Sequence, residues 1–126
     1  MTVVAAVLVA LAALLHGYIF VMESLWWRRP QIWRRFGLRS QQDAETTASM
    51  AYNQGFYNLF LGVGAALGLL LFLTGHETAG RTLVLFATGS MALAATVLLT
   101  TGVRYARAAA TQGTLPLLGF LLFLFV

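Results

Sequence analysis

From Thr47 to Leu73 the chain contains no Asp, Glu, Lys or Arg. At 1.5 Å of rise per residue, a helix of that length crosses a hydrocarbon core about 30 Å thick. Backbone polar groups inside a bilayer find no water, so such a stretch must close its hydrogen bonds on itself, and a helix is the expected form. Segments at about 3–27, 81–103 and 108–126 are also long apolar runs, with Glu23 and Arg81 the charged residues among them. Across the 126 residues, 60% are hydrophobic and 10% charged, a balance that belongs to polytopic membrane proteins. The expected fold is therefore all-α, a four-helix bundle integral to the membrane, formed as a single domain over residues 1–126.

The fourth segment leaves two alternatives. Pro116 lies inside it and cannot donate a helical hydrogen bond. Either the helix kinks there, or it begins near Thr114 and is short. The N-terminus lacks a basic region ahead of its apolar run, so it is not expected to be a secretory signal.

All eight basic residues are arginines, and they cluster. Five of them (Arg28, Arg29, Arg34, Arg35 and Arg39) follow the first segment, interleaved with Trp27, Ile32, Trp33, Phe36 and Leu38. That pattern predicts a short helix in the headgroup layer, with Pro30 in its first turn and Gly37 at its end. Arg104 and Arg107 follow the third segment, and only Arg81 lies on the opposite side. The excess of arginine in cytoplasmic loops then puts both termini outside and both basic loops in the cytoplasm of a bacterial plasma membrane. The partner for this charge is the lipid bilayer; nothing points to nucleic acid. With no cysteine, disulfide, iron–sulfur and thiol redox chemistry are excluded.

The most polar part of the spans is Tyr52-Asn53-Gln54-Gly55-Phe56-Tyr57-Asn58. Amides in hydrocarbon are costly without partners, so they are expected to face inward. The first segment offers His16 and Glu23. Glu23, Asn53 and Gln54 fall at similar depth near the arginine-rich end, and Asn58 lies a turn closer to His16. His16, Phe20, Glu23 and Trp27 fall on one helical stripe, and Gln54, Tyr57, Asn58 and Leu61 form another. Facing each other, these stripes would make a pocket with aromatic walls, open toward the cytoplasm. Gln112 falls at the same end. The other half, rich in Leu, Ala and Gly, would be a closed plug, and Gly64-x-x-x-Gly68 would let another helix approach closely.

These residues carry a resemblance. His16 and Glu23, then Asn53-Gln54-Gly55-Phe56-Tyr57-Asn58, then Gln112-Gly113 before Pro116, resemble a widespread domain-of-unknown-function family of small four-span bacterial membrane proteins. The resemblance covers nearly the whole chain and implies fold and location, without an activity. In size and span number the chain also resembles small membrane-embedded terpene cyclases, although no motif of theirs matches residue by residue.

Glu23 is the candidate general acid, because ionisable groups within spans are functional by default. The plainer alternative is that it snorkels to the interface and pairs with an arginine. His16 would tune Glu23, or serve as a structural histidine bonded to Asn58 or a tyrosine. Asn53, Gln54 and Asn58 would orient a substrate oxygen or bond between helices. Tyr57, Phe20 and Trp27 would stabilise a developing cation or simply fill the core, and Gln112 completes the candidate substrate contacts. No cofactor is expected, and the spacing of His and carboxylates supports no metal site. The expected function is an enzyme acting on a lipophilic small molecule, by proton-initiated isomerisation or cyclisation of a prenyl chain. The alternatives are a solute-binding or transport protein, working as a homo-oligomer, and an accessory subunit without catalysis.

Overall fold

A computed structural model describes residues 1–126, all helix and connection, without strands. Helix α1 covers Thr2–Phe20 and passes into one wide π-helical turn, Val21–Leu25. A short α2, Pro30–Trp33, continues as a 3₁₀ turn, Arg34–Phe36. Then come α3 at Gln41–Leu73, α4 at Glu77–Thr100 and, after a second 3₁₀ turn, α5 at Ala106–Phe123. Three helical stretches are long and apolar enough to cross a membrane: Thr2–Leu25, Gln41–Leu73 and Glu77–Thr100.

The helix ends follow local chemistry. Ser40 caps α3, its hydroxyl accepting from the Asp43 amide at 3.0 Å. That cap starts α3 six residues ahead of the apolar span expected at Thr47. At its far end Gly75 takes a left-handed conformation (φ 92°), and the His76 amide closes onto the Leu71 carbonyl at 2.9 Å. The turn before α4 is therefore only Thr74–His76, and α4 begins at Glu77, four residues ahead of the segment expected from about Arg81. Gly37 ends the arginine-rich segment in the same way, with φ 81°. Helix α5 runs through Pro116 from Ala106, which removes the alternative of a late start near Thr114.

Helix α1 packs on α3, α3 on α4, α4 on α5, and α5 returns to α1. Small residues set the spacing. A Cβ at Gly62 would stand 3.0 Å from the Ala13 carbonyl, and one at Gly68 would stand 2.8 Å from the Val84 amide. Gly80 lies so close to the Phe72 backbone that any side chain would overlap it. Gly64-x-x-x-Gly68 is thus used inside the chain, against α4. The end away from the arginines is closed by Ala5, Val9, Ala12, Ala65, Val84, Ala87, Met91 and Phe123. Arg81 donates to the Leu124 carbonyl there and ties α4 to the end of α5.

At the other end α3 extends past its apolar part, and the arginine-rich segment folds back onto the extension. Trp27 and Trp33 bury themselves against Ala44 and Ala51, with Phe36 and Leu38 packed beside them. Trp27 Nε1 donates to the Ala44 carbonyl at 3.0 Å, and Trp33 Nε1 to Gln41 Oε1 at 3.0 Å. The apolar side chains expected to face headgroups are in large part spent on the protein itself. The arginines stay exposed: Arg28 pairs with Glu45 at 2.8 Å, Arg29 lies over Trp26, and Arg34 over Trp33.

Candidate carboxyl–amide site

The site is built where the π turn meets α3. In that turn the Trp26 amide reaches back five residues to the Val21 carbonyl at 3.0 Å. Such wide turns insert one extra residue and rephase the helix face. The stripe expected from regular spacing is broken as a result. Glu23 points at α3, while Trp27 lies beyond the helix, which ends at Leu25, and turns to Ala44. Trp27 is therefore an anchor of the arginine-rich segment and stands apart from Glu23.

Gly55 makes the approach of α3 possible. A Cβ there would collide with Ser24 Oγ and lie 3.0 Å from the Ser24 amide and 3.1 Å from Glu23 Cβ. Ser24 Oγ donates to the Tyr52 carbonyl at 2.8 Å, crossing the same contact. One turn on, Asn58 Nδ2 donates to Glu23 Oε2 at 2.8 Å and to the Gln54 carbonyl of its own helix at 3.1 Å. Both amide protons of Asn58 are thereby committed, and only its Oδ1 is left for another partner.

The Glu23 carboxyl is half-buried, with one oxygen held and the other unbonded. No buried side-chain oxygen or nitrogen in the chain lacks a partner, so the free Oε1 is reachable from outside the protein. A carboxyl held at one oxygen has a fixed orientation, and its second oxygen can carry and deliver a proton.

His16 lies 2% exposed and directs Nδ1 to the Ala12 carbonyl at 2.9 Å. A carbonyl can only accept, so Nδ1 carries the proton and Nε2 of the neutral ring presents a bare lone pair. No hydrogen bond joins His16 to Glu23, to Asn58 or to a tyrosine. It packs instead against Gly62.

Beside the pair lies an aromatic row. Phe20 meets Phe56 edge-on at 5.0 Å between ring centres, and Phe56 also contacts Tyr52 at 5.0 Å and Phe60 at 6.1 Å. Tyr57 is exposed on α3, as are Asn53 and Gln54, and none of the three makes a side-chain hydrogen bond. Gln112 is half-buried on α5, also without one; its neighbour Gly113 packs against Ala95. The structure thus joins Glu23 to Asn58, and Phe20 to the row beside them. The groove along α1 and α3 is lined by neither Glu23 nor Asn58, so the pair lies outside it, at the junction of the π turn and α3. Sequence reasoning missed Ser24 and the role of Gly55. A glycine among amides in an otherwise helical pattern was the available signal, because it marks a close approach.

Three helices long and apolar enough to cross a bilayer mark this all-α chain as a membrane protein, with the carboxyl–amide pair between the π turn and α3. Residues 10–124 match the family described as "Protein of unknown function (DUF1304)", and the chain belongs to that family. No curated protein and no solved structure matches it.

Proposed function

We propose that the protein is a membrane-embedded enzyme in which Glu23 acts as a general acid on a lipophilic small molecule. The observation that carries this reading is the asymmetric carboxyl, with Oε2 fixed by Asn58 and Oε1 free. In the concrete form, Glu23 protonates an alkene or epoxide of a prenyl chain, the cation rearranges or cyclises, and it then loses a proton to the Glu23 carboxylate, which gives the isomer and restores the acid. The faces of Phe20 and Phe56, negative by their quadrupole, stabilise the cation. Gln54, Asn53 and Tyr57, unengaged on α3, contact the polar part of the substrate, and Asn58 keeps the acid in place.

In the same reading α5 crosses as a fourth span beside the three more apolar helices. Both termini lie outside, and the arginine-rich segment with Arg104 and Arg107 faces the cytoplasm of a bacterial plasma membrane. Arginine asymmetry supports this orientation. Because the chain has no cysteine, single cysteines at Ser40 and Thr78 give a clean test. A membrane-impermeant thiol reagent should label Thr78→Cys in intact cells and Ser40→Cys only after lysis.

The deciding experiment is a turnover assay in membranes with prenylated aromatics and free terpenoid alcohols. A new isomer or cyclised product is expected from wild type and should be absent with Glu23→Gln. Full turnover by Glu23→Gln would end the acid role.

A second reading, an accessory protein without catalysis, is favoured by one observation: His16 and Asn58 both spend donors on protein acceptors. It predicts that Glu23→Gln alters stability and no chemistry.

A further inference from the structure

A groove of 530 Å³ runs along the outside of the α1–α3 contact, with Ala13 and Gly17 on one wall and Leu59, Gly62, Ala66 and Leu73 on the other. Its lining is almost wholly apolar, and it lies on two of the helices able to cross a membrane. From Leu59 to Leu73 it extends about 21 Å at 1.5 Å per residue. That is longer than one leaflet of a hydrocarbon core about 30 Å thick, so it has room for an extended chain. Small residues form its floor. A Cβ at Gly17 would meet nothing within 4 Å.

The groove is not uniform at its two ends. Next to Gly17 stands Tyr18, exposed, and its phenol accepts a long hydrogen bond (3.5 Å) from Arg35 Nη1. Arg35 comes from the arginine-rich segment and has no acidic partner; the one ion pair of the chain is Arg28–Glu45. Tyr18 stands one residue past the lining residue Gly17 and one helical turn past Leu14, so its bond brings an unpaired guanidinium to the arginine-rich end of α1, just outside the lining. Past Gly17 and Leu59, the Phe20–Phe56 contact stands between the two helices.

We propose that this groove binds one anionic membrane lipid, its apolar chain lying along Ala13, Gly17, Gly62 and Ala66 and its phosphate at Arg35 and Tyr18. Charge complementarity selects the occupant. A guanidinium presents a planar fork of donors suited to phosphate oxygens, and a phenol adds one more donor. A neutral lipid would fill the channel and leave Arg35 unanswered, and a second copy of the chain would bring no matching charge, since this end is already rich in arginine. The site is separate from Glu23, which does not line the groove, and it does not depend on any turnover.

The test uses the full chain in nanodiscs holding equal phosphatidylglycerol and phosphatidylcholine, released into the gas phase and weighed with the lipid it retains. Wild type is expected to keep one lipid, with phosphatidylglycerol favoured about five-fold, the effect of one arginine at a lipid surface. Arg35→Gln should still retain lipid but show no preference. Gly17→Leu fills the channel without meeting the protein, and Ala66→Leu does so from the other wall; both should lose the retained lipid while keeping wild-type helicity. Glycerol 3-phosphate in excess should leave the retained lipid in place, because the chain supplies most of the binding; displacement would reduce the site to a free-phosphate site and overturn the proposal. Equal retention by wild type and both filled variants would also overturn it, showing annular contact alone. A dimer lost on Gly17→Leu would hand the groove to a second copy.

Discussion

Asn58 on α3 donates to Glu23 on the π turn at 2.8 Å and orients the carboxyl that faces out between the two helices. Asn58→Leu leaves this half-buried carboxyl without its donor. The expected cost is about 1–3 kcal/mol, the penalty of an unsatisfied partner, read as a lower thermal midpoint in detergent. Glu23→Gln keeps an oxygen that accepts from Asn58, so it should stay within about 1 kcal/mol of wild type while losing the acid. A loss of stability for Glu23→Gln as large as for Asn58→Leu would contradict this picture.

Gly55→Ala should be more damaging than its single methyl suggests. The added carbon collides with Ser24 Oγ, and overpacking of this kind costs about 1–3 kcal/mol. Ser24→Ala in the same chain removes the nearest obstacle. The Ser24 amide at 3.0 Å and Glu23 Cβ at 3.1 Å remain, so the double variant should regain part of the loss. A double-mutant cycle measures that coupling directly.

The glycines at the α3–α4 contact should separate sharply. At Gly64 a Cβ comes no nearer than 3.7 Å to Ala87 Cβ, ordinary contact distance. Gly64→Ala should be tolerated or stabilise by up to about 1 kcal/mol, because a glycine inside a helix loses more backbone freedom on folding than an alanine. Gly80→Ala forces a methyl into the Phe72 backbone, which cannot move as a side-chain tip can, and should leave little folded protein by size-exclusion chromatography. Equal tolerance at the two positions would mean that α3 and α4 pack less closely than described.

The arginine-rich segment is held by indoles, with its one ion pair secondary. Trp33 is 5% exposed, and Trp33→Ala should cost about 3–5 kcal/mol in local packing. Trypsin reports this well, because the segment carries Arg28, Arg29, Arg34, Arg35 and Arg39; cleavage there should rise steeply. Glu45→Ala removes an exposed pair with Arg28 and a longer bond from Gln41, both screened by water and of little weight, and cleavage should hardly change. The opposite ranking would show that charge holds the segment down.

Much of the fold was legible because its causes are local. The charge-free run of α3 and the Pro30 start and Gly37 end of the arginine-rich segment follow from residue order; the depth expected to match Glu23 was that of Asn53 and Gln54, and it is Asn58, a turn further on, that meets the carboxyl. The site was legible in part. Asn58 meets Glu23, yet His16 bonds within its own helix to Ala12 and Trp27 leaves for Ala44. The single stripe assumed a regular helix through residue 27, and the π turn at Val21–Leu25 breaks that regularity. Nothing in the residues from Val21 to Leu25 announces such a turn.

The sequence by itself determined that the chain is helical, belongs in a membrane, and carries its polar groups near one arginine-rich end. Hydrophobic length and charge act residue by residue, so order alone is enough to read them. Only the tertiary structure decided that Gly55 seats against Ser24, that Asn58 fixes one oxygen of Glu23 and leaves the other free, and that Gly64-x-x-x-Gly68 faces α4. Those outcomes depend on how closely two backbones approach, and close approach is a property of the pair of helices and of neither one alone.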